Sequence, residues 1–346
     1  MTVFNPWALL PTELKHQLPS SLVVDISDNC TGVDRLSAGL SNSNYYLKMP
    51  SQDWVLRDNK DIEQWCDRDN EVACWRMAQA IKLAPKLIWQ SETKQFYLSE
   101  FIKQTSFDWS STFSEYGFSS SNRPSNNSFR YGDGLAEQYE PVSQLLSLLK
   151  QFTTLALPPK VISITEQWQV YLESLAELSN NQLDEQWCDA FEQLTNLKPA
   201  MTSWLTDLES CLIRPQFCHR DLSPFNLLLQ QDNLLCIDFE YCAASHPMFD
   251  LASILATHQL TEQQAKDLSE QYLCQHPNLQ SNAIHYLEQI YNCFWAFGAA
   301  WALMMAAKST HSEDEQLINV TLVDESSTDL KTSYFLLFNK YLSLIS

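Results

Sequence analysis

The sequence predicts an α+β fold in which strands come early in the chain and helices dominate afterwards. Apolar residues alternate or cluster in short segments within the first hundred residues, near 34–40, 44–48, 53–57, 83–88 and 96–102. Helical spacing appears once among these strands, over 61–82, and returns from about residue 139 onward. With 346 residues, the chain is long enough for one large domain or for two lobes.

Composition narrows the classes of protein and partner. A content of 45% hydrophobic and 12% aromatic residues is typical of a globular chain. The formal net charge of -20 argues against nucleic acid as a partner; it suits a cationic substrate, and equally an ordinary solvated acidic surface. Ten cysteines without a CxxC pair predict reduced thiols. The N-terminal residues lack a signal-peptide pattern, so we expect a cytoplasmic protein.

Residues 217–241 contain the candidate catalytic residues. An apolar stretch is followed by His219, Asp221 and Asn226, which have the spacing HxDxxxxN. A predicted hairpin follows, and its second strand ends at Asp238. Phosphoryl transfer requires a carboxylate to accept a hydrogen bond from the attacking hydroxyl, and oxygen ligands to hold Mg²⁺ against nucleotide phosphates. Asp221 suits the first task, and Asn226 and Asp238 suit the second. The two motifs together predict a kinase that uses ATP and Mg²⁺, with an architectural role for His219.

The same residues support a family resemblance. HRDLSPFN fits the catalytic loop of protein kinases, but GxGxxG and APE are missing and DFE replaces DFG. The segment 237–241, IDFEY, instead resembles choline, ethanolamine and thiamine kinases, of the aminoglycoside phosphotransferase group of small-molecule kinases. This resemblance implies a bilobal, protein-kinase-like fold. An N-lobe at 1–102, with an antiparallel sheet and one main helix, would precede a larger, mostly helical C-lobe at 103–346.

The resemblance also assigns nucleotide-binding residues in the N-lobe. The turn after the first strand is similar to the GGxxN phosphate loop of the family, with Ala38 at the first glycine position; an ordinary hairpin turn is the alternative. Arg57 ends the strand segment Trp54-Val55-Leu56-Arg57, which is similar to the VLxR pattern of the family. The resemblance implies that Arg57 binds phosphates, held by Glu71 unless that residue faces solvent; an exposed arginine at a strand end is the alternative. The last strand resembles the adenine hinge. The full nucleotide set is Ser41, Asn42, Asn44, Arg57, Glu71, Glu100 and Ile102.

Three further segments leave alternatives open. Ser, Asn and Gly dominate 104–138, which predicts a mobile insertion that is either a lid or a surface excursion. Asp250 matches a family position that braces the catalytic loop, although a helix cap would look the same. The uncharged run at 290–307 is either a membrane span or a buried helix, and its lack of basic flanks favours the buried helix.

The helix near 295 resembles the choline kinase segment FFWGLW, whose tryptophans wall a trimethylammonium pocket. Trp295 aligns with the first tryptophan, Gly298 stands where the second is expected, and Trp301 follows three residues later. An aromatic face attracts a cation by about 0.5 to 2 kcal/mol, although plain core packing is the alternative. Phe225, where the family has Gly, is expected to narrow the acceptor site. The predicted substrate-binding set is Glu240, Tyr241, Trp295, Trp301 and Tyr334, with Phe335 and Tyr341 near it.

These expectations lead to one predicted function and several alternative functions. The predicted enzyme transfers the γ-phosphate of ATP to the hydroxyl of a small cationic alcohol, choline or ethanolamine, with Mg²⁺. Thiamine kinase and aminoglycoside phosphotransferase are alternatives within the enzyme class, and a nucleotide-binding regulator without turnover is the alternative outside it. Protein kinase activity is disfavoured by the missing APE segment. We expect no nucleic-acid partner and no membrane insertion, and the sequence leaves the oligomeric state open.

Overall fold

The computed structural model describes residues 5–36, 42–59, 66–104, 109–113, 141–179, 184–309 and 330–346. Ser41 and most of the predicted insertion at 104–138 lie outside these ranges. The chain divides into two compact units. The first draws its described residues from 5–104 and Leu228–Tyr241, and the second from Trp109–Leu227 and from Cys242 onward.

The elements follow in chain order. The first are α1 (Leu14–Gln17), α2 (Ser20–Asn29), β1 (Gly32–Leu36), β2 (Ser43–Lys48), β3 (Trp54–Asp58), α3 (Arg68–Ala80), β4 (Leu87–Gln90) and β5 (Phe96–Glu100). Next come α4 (Pro141–Phe152), α5 (Ile164–Ser179), α6 (Glu185–Asn196), α7 (Lys198–Cys211), β6 (Gln216–Cys218), β7 (Leu227–Gln230), β8 (Asn233–Cys236) and β9 (Ala243–Ser245). The last are α8 (Met248–Thr257), α9 (Glu262–Leu273), α10 (Leu287–Lys308) and α11 (Leu330–Ser343).

The first unit is built on a five-stranded antiparallel sheet with the strand order β1-β2-β3-β5-β4. One face is covered by the N-terminal helices, whose Leu14 and Ile26 are fully buried against Leu56 and Phe96 of the sheet. In β3, Arg57 stands opposite Asn44 of β2 on one side and Tyr97 of β5 on the other. The central position of β3 therefore places this arginine between two strands, where its side chain is buried.

Helix α3 is the main helix of the first unit. It begins after Asp67, whose Oδ1 accepts hydrogen bonds from the backbone N–H groups of Asp69 and Asn70 at 3.0 Å. Trp75 donates from Nε1 to the carbonyl of Pro85 at 2.8 Å, and its ring stacks on Phe239 with centroids 5.9 Å apart. These contacts fix α3 beside the segment that follows β8.

The second unit is mostly helical and is organised around α10, which packs against α5, α6, α7, α8 and α11. Within the described residues, Ala283–Lys308 is the helical stretch long and apolar enough to cross a membrane, and 72% of its most apolar window is buried. That burial is typical of the core helix of a large domain. The short antiparallel pair of β6 and β9 leads directly into residue 219.

The ten cysteines are all free thiols, and eight of them are buried. Buried cysteines behave as small apolar residues in a core. The ten free thiols agree with the prediction of reduced cysteines.

Candidate active site

Five charged side chains of the first unit lie together and form what we call the charge cluster: Arg57, Arg68, Glu71, Asp238 and Glu240. Arg57 donates from Nη1 to Asp238 Oδ1 at 3.0 Å and from Nη2 to Glu240 Oε2 at 3.1 Å. Its Nη1 also lies 3.1 Å from Glu71 Oε1. The predicted ion pair of Arg57 with Glu71 is therefore present, and two further carboxylates share the same guanidinium.

Burial and the charges of neighbouring residues shift the pKa of Arg57 in opposite directions in this cluster. Burial by itself lowers the pKa of Arg57, but Asp238, Glu71 and Glu240 together raise it above its ordinary value, so the guanidinium stays charged. Burial, followed by the nearby charge of Asp238, raises the pKa of Glu240 to about 7. The cluster contains three carboxylates and two guanidiniums, so one carboxylate has no matching positive charge within the cluster.

Tyr97 and Arg68 complete the surroundings of Glu71. The Tyr97 hydroxyl donates to Glu71 Oε2 at 3.1 Å, and Arg68 Nη1 donates to the same oxygen at 2.8 Å. Neither residue is among those predicted from the sequence for this site. For Arg68 a signal existed, because oppositely charged residues three apart on a helix face each other.

Asp238 stands at a bend in the backbone. Its φ angle is 64°, in the left-handed region that residues other than glycine seldom adopt. Its side chain is 29% exposed, in contrast to the fully buried side chain of Glu71. A carboxylate that is both held at such a bend and accessible is suited to bind a ligand.

The predicted catalytic loop lies in the second unit and contains Asp221 and Asn226. Asn226 donates from Nδ2 to Asp221 Oδ2 at 2.8 Å and to the Asp221 carbonyl at 3.1 Å. This pair fixes the orientation of the carboxylate and turns Asn226 Oδ1 away from Asp221. The loop thus presents one oriented carboxylate and one amide oxygen.

Asp250, on α8, holds the backbone that precedes Asp221. Its fully buried carboxylate accepts from the N–H of His219 at 3.0 Å and from the N–H of Arg220 at 2.7 Å. Arg220 has a φ angle of 71°, so these bonds stabilise a backbone conformation that a non-glycine residue disfavours. The predicted bracing of the loop by Asp250 is present. Arg220 Nη2 also donates to Gln167 of α5 at 2.9 Å, a contact that the sequence did not indicate.

Trp295 lies in an aromatic group of the second unit that we call the Trp295 cluster. Its ring centroid is 5.1 Å from that of Tyr341, 5.3 Å from Phe294 and 5.8 Å from Tyr291. Burial, and then the charge of Asp221, raise the pKa of Tyr341. The Tyr341 hydroxyl is thus within electrostatic reach of the Asp221 carboxylate, which links this aromatic group to the catalytic loop.

Gly298 explains how the Tyr341 ring reaches Trp295. A Cβ atom at residue 298 would lie 3.1 Å from Tyr341 Cδ2 and 3.2 Å from Cε2, closer than ordinary van der Waals contact. The ring from α11 therefore occupies the space above the position where the family resemblance led us to expect a second tryptophan on α10.

Trp301 falls in a different group. Its ring packs edge-on against Tyr334 at 5.8 Å, whereas Trp295 packs on Tyr341. Six residues correspond to about 1.7 helical turns, which carries the two tryptophans to different faces of α10. The structure does not bring Trp301 and Tyr334 into the Trp295 cluster.

The remaining predicted residues lie in the first unit. Asn42 precedes β2, and Asn44 pairs across the sheet with Arg57. Glu100 ends β5 with its N–H bonded to the Lys86 carbonyl at 3.0 Å, and Ile102 is buried just beyond it. Tyr241 is half-buried at the end of the segment that carries Asp238 and Glu240.

Phe225 is an exposed aromatic residue inside the catalytic loop, 40% accessible. Its ring lies 4.9 Å from that of Phe113. The short turn that carries Phe113 is fixed to the end of α8, because Gln259 bonds Thr112 through its backbone and Phe113 through its side chain. The two rings therefore form an aromatic rim on the loop that follows Asp221 in the chain, held in place by the residues after α8.

Each unit presents an oxygen donor of a kind that magnesium binds. In the first unit Asp238 has an accessible carboxylate, and in the second unit Asn226 has an amide oxygen that its bond to Asp221 leaves available. No group of three or more His, Cys, Asp or Glu side chains that could hold a metal ion occurs among the described residues. Magnesium usually binds one or two carboxylates together with substrate phosphates and water, so the absence of such a group does not conflict with magnesium use.

Comparison with known proteins identifies relatives at two levels. A family model described as the phosphotransferase enzyme family matches residues 32–281. A segment of 61 residues is 44% identical to Protein LicA of Haemophilus influenzae, covering 18% of this chain. The aligned segment spans only 22% of the length of that relative.

Three solved structures resemble nearly the whole chain. A choline/ethanolamine kinase family protein from Mesorhizobium loti has a TM-score of 0.58 and 16% identity, covering 97% of this chain and 94% of the other. Choline kinase LicA from Streptococcus pneumoniae has a TM-score of 0.58 and 16% identity, with coverages of 96% and 98%. ADP-bound aminoglycoside phosphotransferase APH(2'')-Ib has a TM-score of 0.54 and 12% identity, with coverages of 92% and 93%. The kinase-like fold predicted from the sequence is confirmed.

Proposed function

The chain belongs to the phosphotransferase enzyme family, and on this premise we propose that it transfers the γ-phosphate of ATP to the hydroxyl of a small cationic alcohol, choline or ethanolamine. The observation that carries the choice of acceptor lies in the second unit. There the Tyr341 ring packs on Trp295 while its hydroxyl is within reach of the charge of Asp221. A cation held by the aromatic faces would bring its hydroxyl towards the catalytic carboxylate.

Asp221 is the proposed catalytic residue. Its carboxylate, oriented by Asn226, accepts a hydrogen bond from the acceptor hydroxyl and takes its proton as the oxygen attacks the γ-phosphorus. The bond from the γ-phosphorus to the bridging oxygen breaks, which releases ADP and the phosphorylated alcohol. Asp250 keeps the loop in the conformation that presents this carboxylate.

The donor side of the reaction is assigned to the first unit. Arg57 is proposed to bind the nucleotide phosphates together with Ser41, Asn42 and Asn44, and an ADP-bound structural neighbour supports nucleotide use. Asn226 and Asp238 would hold Mg²⁺, which when bound offsets phosphate charge. Glu100 and Ile102 would meet the adenine.

On the acceptor side, Trp295 and Tyr341 supply the aromatic faces, and the predicted contacts of Glu240, Tyr241, Trp301 and Tyr334 with substrate stay proposals. The choline kinase and choline/ethanolamine kinase structural neighbours support a small alcohol as acceptor. A cytoplasmic location belongs to the same proposal and agrees with ten free thiols.

The test is ADP release by the purified protein with ATP and Mg²⁺, measured across choline, ethanolamine, thiamine and kanamycin. We expect choline or ethanolamine to stimulate release, and we expect Asp221→Asn to lower turnover by about 100-fold to 10,000-fold. Asp189→Asn, at an exposed position on α6, is the matched control and should keep wild-type turnover.

Each other outcome has a meaning. Stimulation by kanamycin or thiamine alone would show that the acceptor belongs to another class, and the proposed phosphotransfer mechanism would stand. Full activity of the Asp221→Asn protein would show that Asp221 is not a catalytic residue. Nucleotide binding without turnover on any acceptor of a wider screen would favour a regulator over an enzyme.

A further inference from the structure

Arg68 is a buried arginine for which the phosphotransfer reaction described above has no role. It is the first residue of α3 and is 8% exposed. Its Nη1 lies 2.8 Å from Glu71 Oε2 and 3.5 Å from Glu240 Oε2. Arg68 therefore connects the two carboxylates that also contact Arg57.

The local helix geometry fixes this arrangement. Asp67 caps the helix immediately before Arg68, and Glu71 follows one turn later on the same face. Because the helix start sets the backbone of residue 68, its side chain is directed along that face to Glu71. Burial lowers the pKa of Arg68, but the charge and hydrogen bond of Glu71, together with the charge of Glu240, raise it above its ordinary value, so the guanidinium is charged.

The charges of the cluster explain why a second guanidinium matters. Arg57 contacts all three carboxylates, which are Glu71, Asp238 and Glu240. Without Arg68, one guanidinium would face three buried or partly buried carboxylates. Arg57 would then be held more tightly by the protein, and the more negative surroundings would repel the phosphates of a nucleotide.

We propose that Arg68 is a positioning residue for nucleotide binding, which balances Glu71 and Glu240 so that Arg57 remains able to bind the nucleotide phosphates. This inference rests on the proposed function, because it assumes that Arg57 receives those phosphates. Arg68 itself acts through the carboxylates and through Arg57.

The test is the affinity for ADP in the presence of Mg²⁺, measured by titration calorimetry on the full chain without an acceptor. Loss of a residue that orients a metal ligand typically weakens metal binding by about 10-fold to 100-fold, and Arg68 orients the phosphate-binding Arg57 in a comparable way. We expect a loss of this size in Arg68→Gln, which removes the charge and keeps a donor for Glu71. Arg68→Lys keeps the charge and should recover most of the affinity.

Two further variants make the comparison specific. Arg76→Gln removes an exposed arginine from the same helix, where Arg76 Nη2 contacts only the Gln90 side chain at 3.4 Å among the described residues; it should bind ADP like wild type. Arg68→Gln combined with Glu240→Gln removes one positive and one negative charge together. If charge balance is the cause, the double variant should bind ADP more tightly than the single variant.

Thermal unfolding of every variant separates folding from binding. Equal ADP affinity in Arg68→Gln and Arg76→Gln would overturn the inference, as would a double variant no tighter than Arg68→Gln. If Arg68→Gln does not fold, the double variant tests the inference instead. Its charge balance equals that of wild type, so it should bind ADP with near wild-type affinity. A wild-type protein that binds no ADP would instead overturn the proposed function.

Discussion

The contact between Gly298 and Tyr341 gives a quantitative prediction about the acceptor side. Changing a glycine within a helix to alanine stabilises the helix by about 1 kcal/mol. Here the added Cβ would lie 3.1 Å from the Tyr341 ring, so the ring must move by a few tenths of an ångström. Overpacking of this kind costs about 1–3 kcal/mol. Gly298→Ala should therefore change the free energy of unfolding by an amount between about zero and a loss of about 2 kcal/mol.

A double-mutant cycle isolates the ring contact. In a Tyr341→Ala background the ring is gone, and Gly298→Ala should now stabilise the protein by the full helix term of about 1 kcal/mol. The coupling free energy between the two positions should therefore be about 1–3 kcal/mol. Urea unfolding of the four proteins measures it.

Gly298→Ala should also affect binding of the acceptor without affecting binding of ATP. Because Tyr341 packs on Trp295, displacement of its ring should raise the KM for the acceptor and leave the KM for ATP unchanged. Steady-state kinetics with each substrate varied in turn give the comparison. The reasoning is refuted if Gly298→Ala stabilises the wild-type background by about 1 kcal/mol, or if both KM values rise together.

Three other predictions follow from the second unit. Trp295→Ala should raise the acceptor KM more than Trp301→Ala does, because Trp301 packs on Tyr334 instead of on the Trp295 cluster; equal KM changes would contradict the division. Burial raises the pKa of Asp250 from 3.8 to about 7, so its contribution to stability is complete below about pH 4 and is lost as the pH rises through 7. In thermal unfolding, the Tm of wild type relative to Asp250→Asn should fall over that range, and a constant difference would argue against it. Phe225→Gly should open the rim formed with Phe113 and raise kcat/KM for bulkier alcohols relative to choline by about 10-fold or more, measured in direct competition; an unchanged preference would remove Phe225 from acceptor selection.

Much of the site could be predicted where the sequence encodes chemistry at fixed spacing. The interval from Asp221 to Asn226 is set by one loop, and their hydrogen bond at 2.8 Å follows from it. The bond of Asp250 to the loop and the ion pair of Arg57 with Glu71 were also predicted, through the family resemblance. The specific roles in catalysis and binding stay predictions that kinetics must test.

The fold was predictable for a related reason. Alternation of apolar residues in the first hundred positions and helical spacing afterwards indicated a sheet followed by helices, and the observed antiparallel sheet and helical second unit agree. For residues 7–20 the sequence predicts one short helix ended by Pro19, whereas the structure has a short turn at Pro6–Ala8 followed by α1 and α2. Pro11 and Pro19 interrupt that segment, since proline disfavours a helical conformation in the residue before it.

What the sequence by itself determined is the set of chemical groups and their local order: the carboxylates at 221, 238 and 250, the amide at 226 and the aromatic run near 295. Tertiary structure alone decided which side chains meet across long separations. Tyr341 reaches Trp295 from another helix because Gly298 leaves space for its ring, and Arg68 joins Glu240 because α3 packs near the segment after β8. Such contacts depend on packing between elements that are distant in the chain, so they cannot be predicted from local periodicity or spacing.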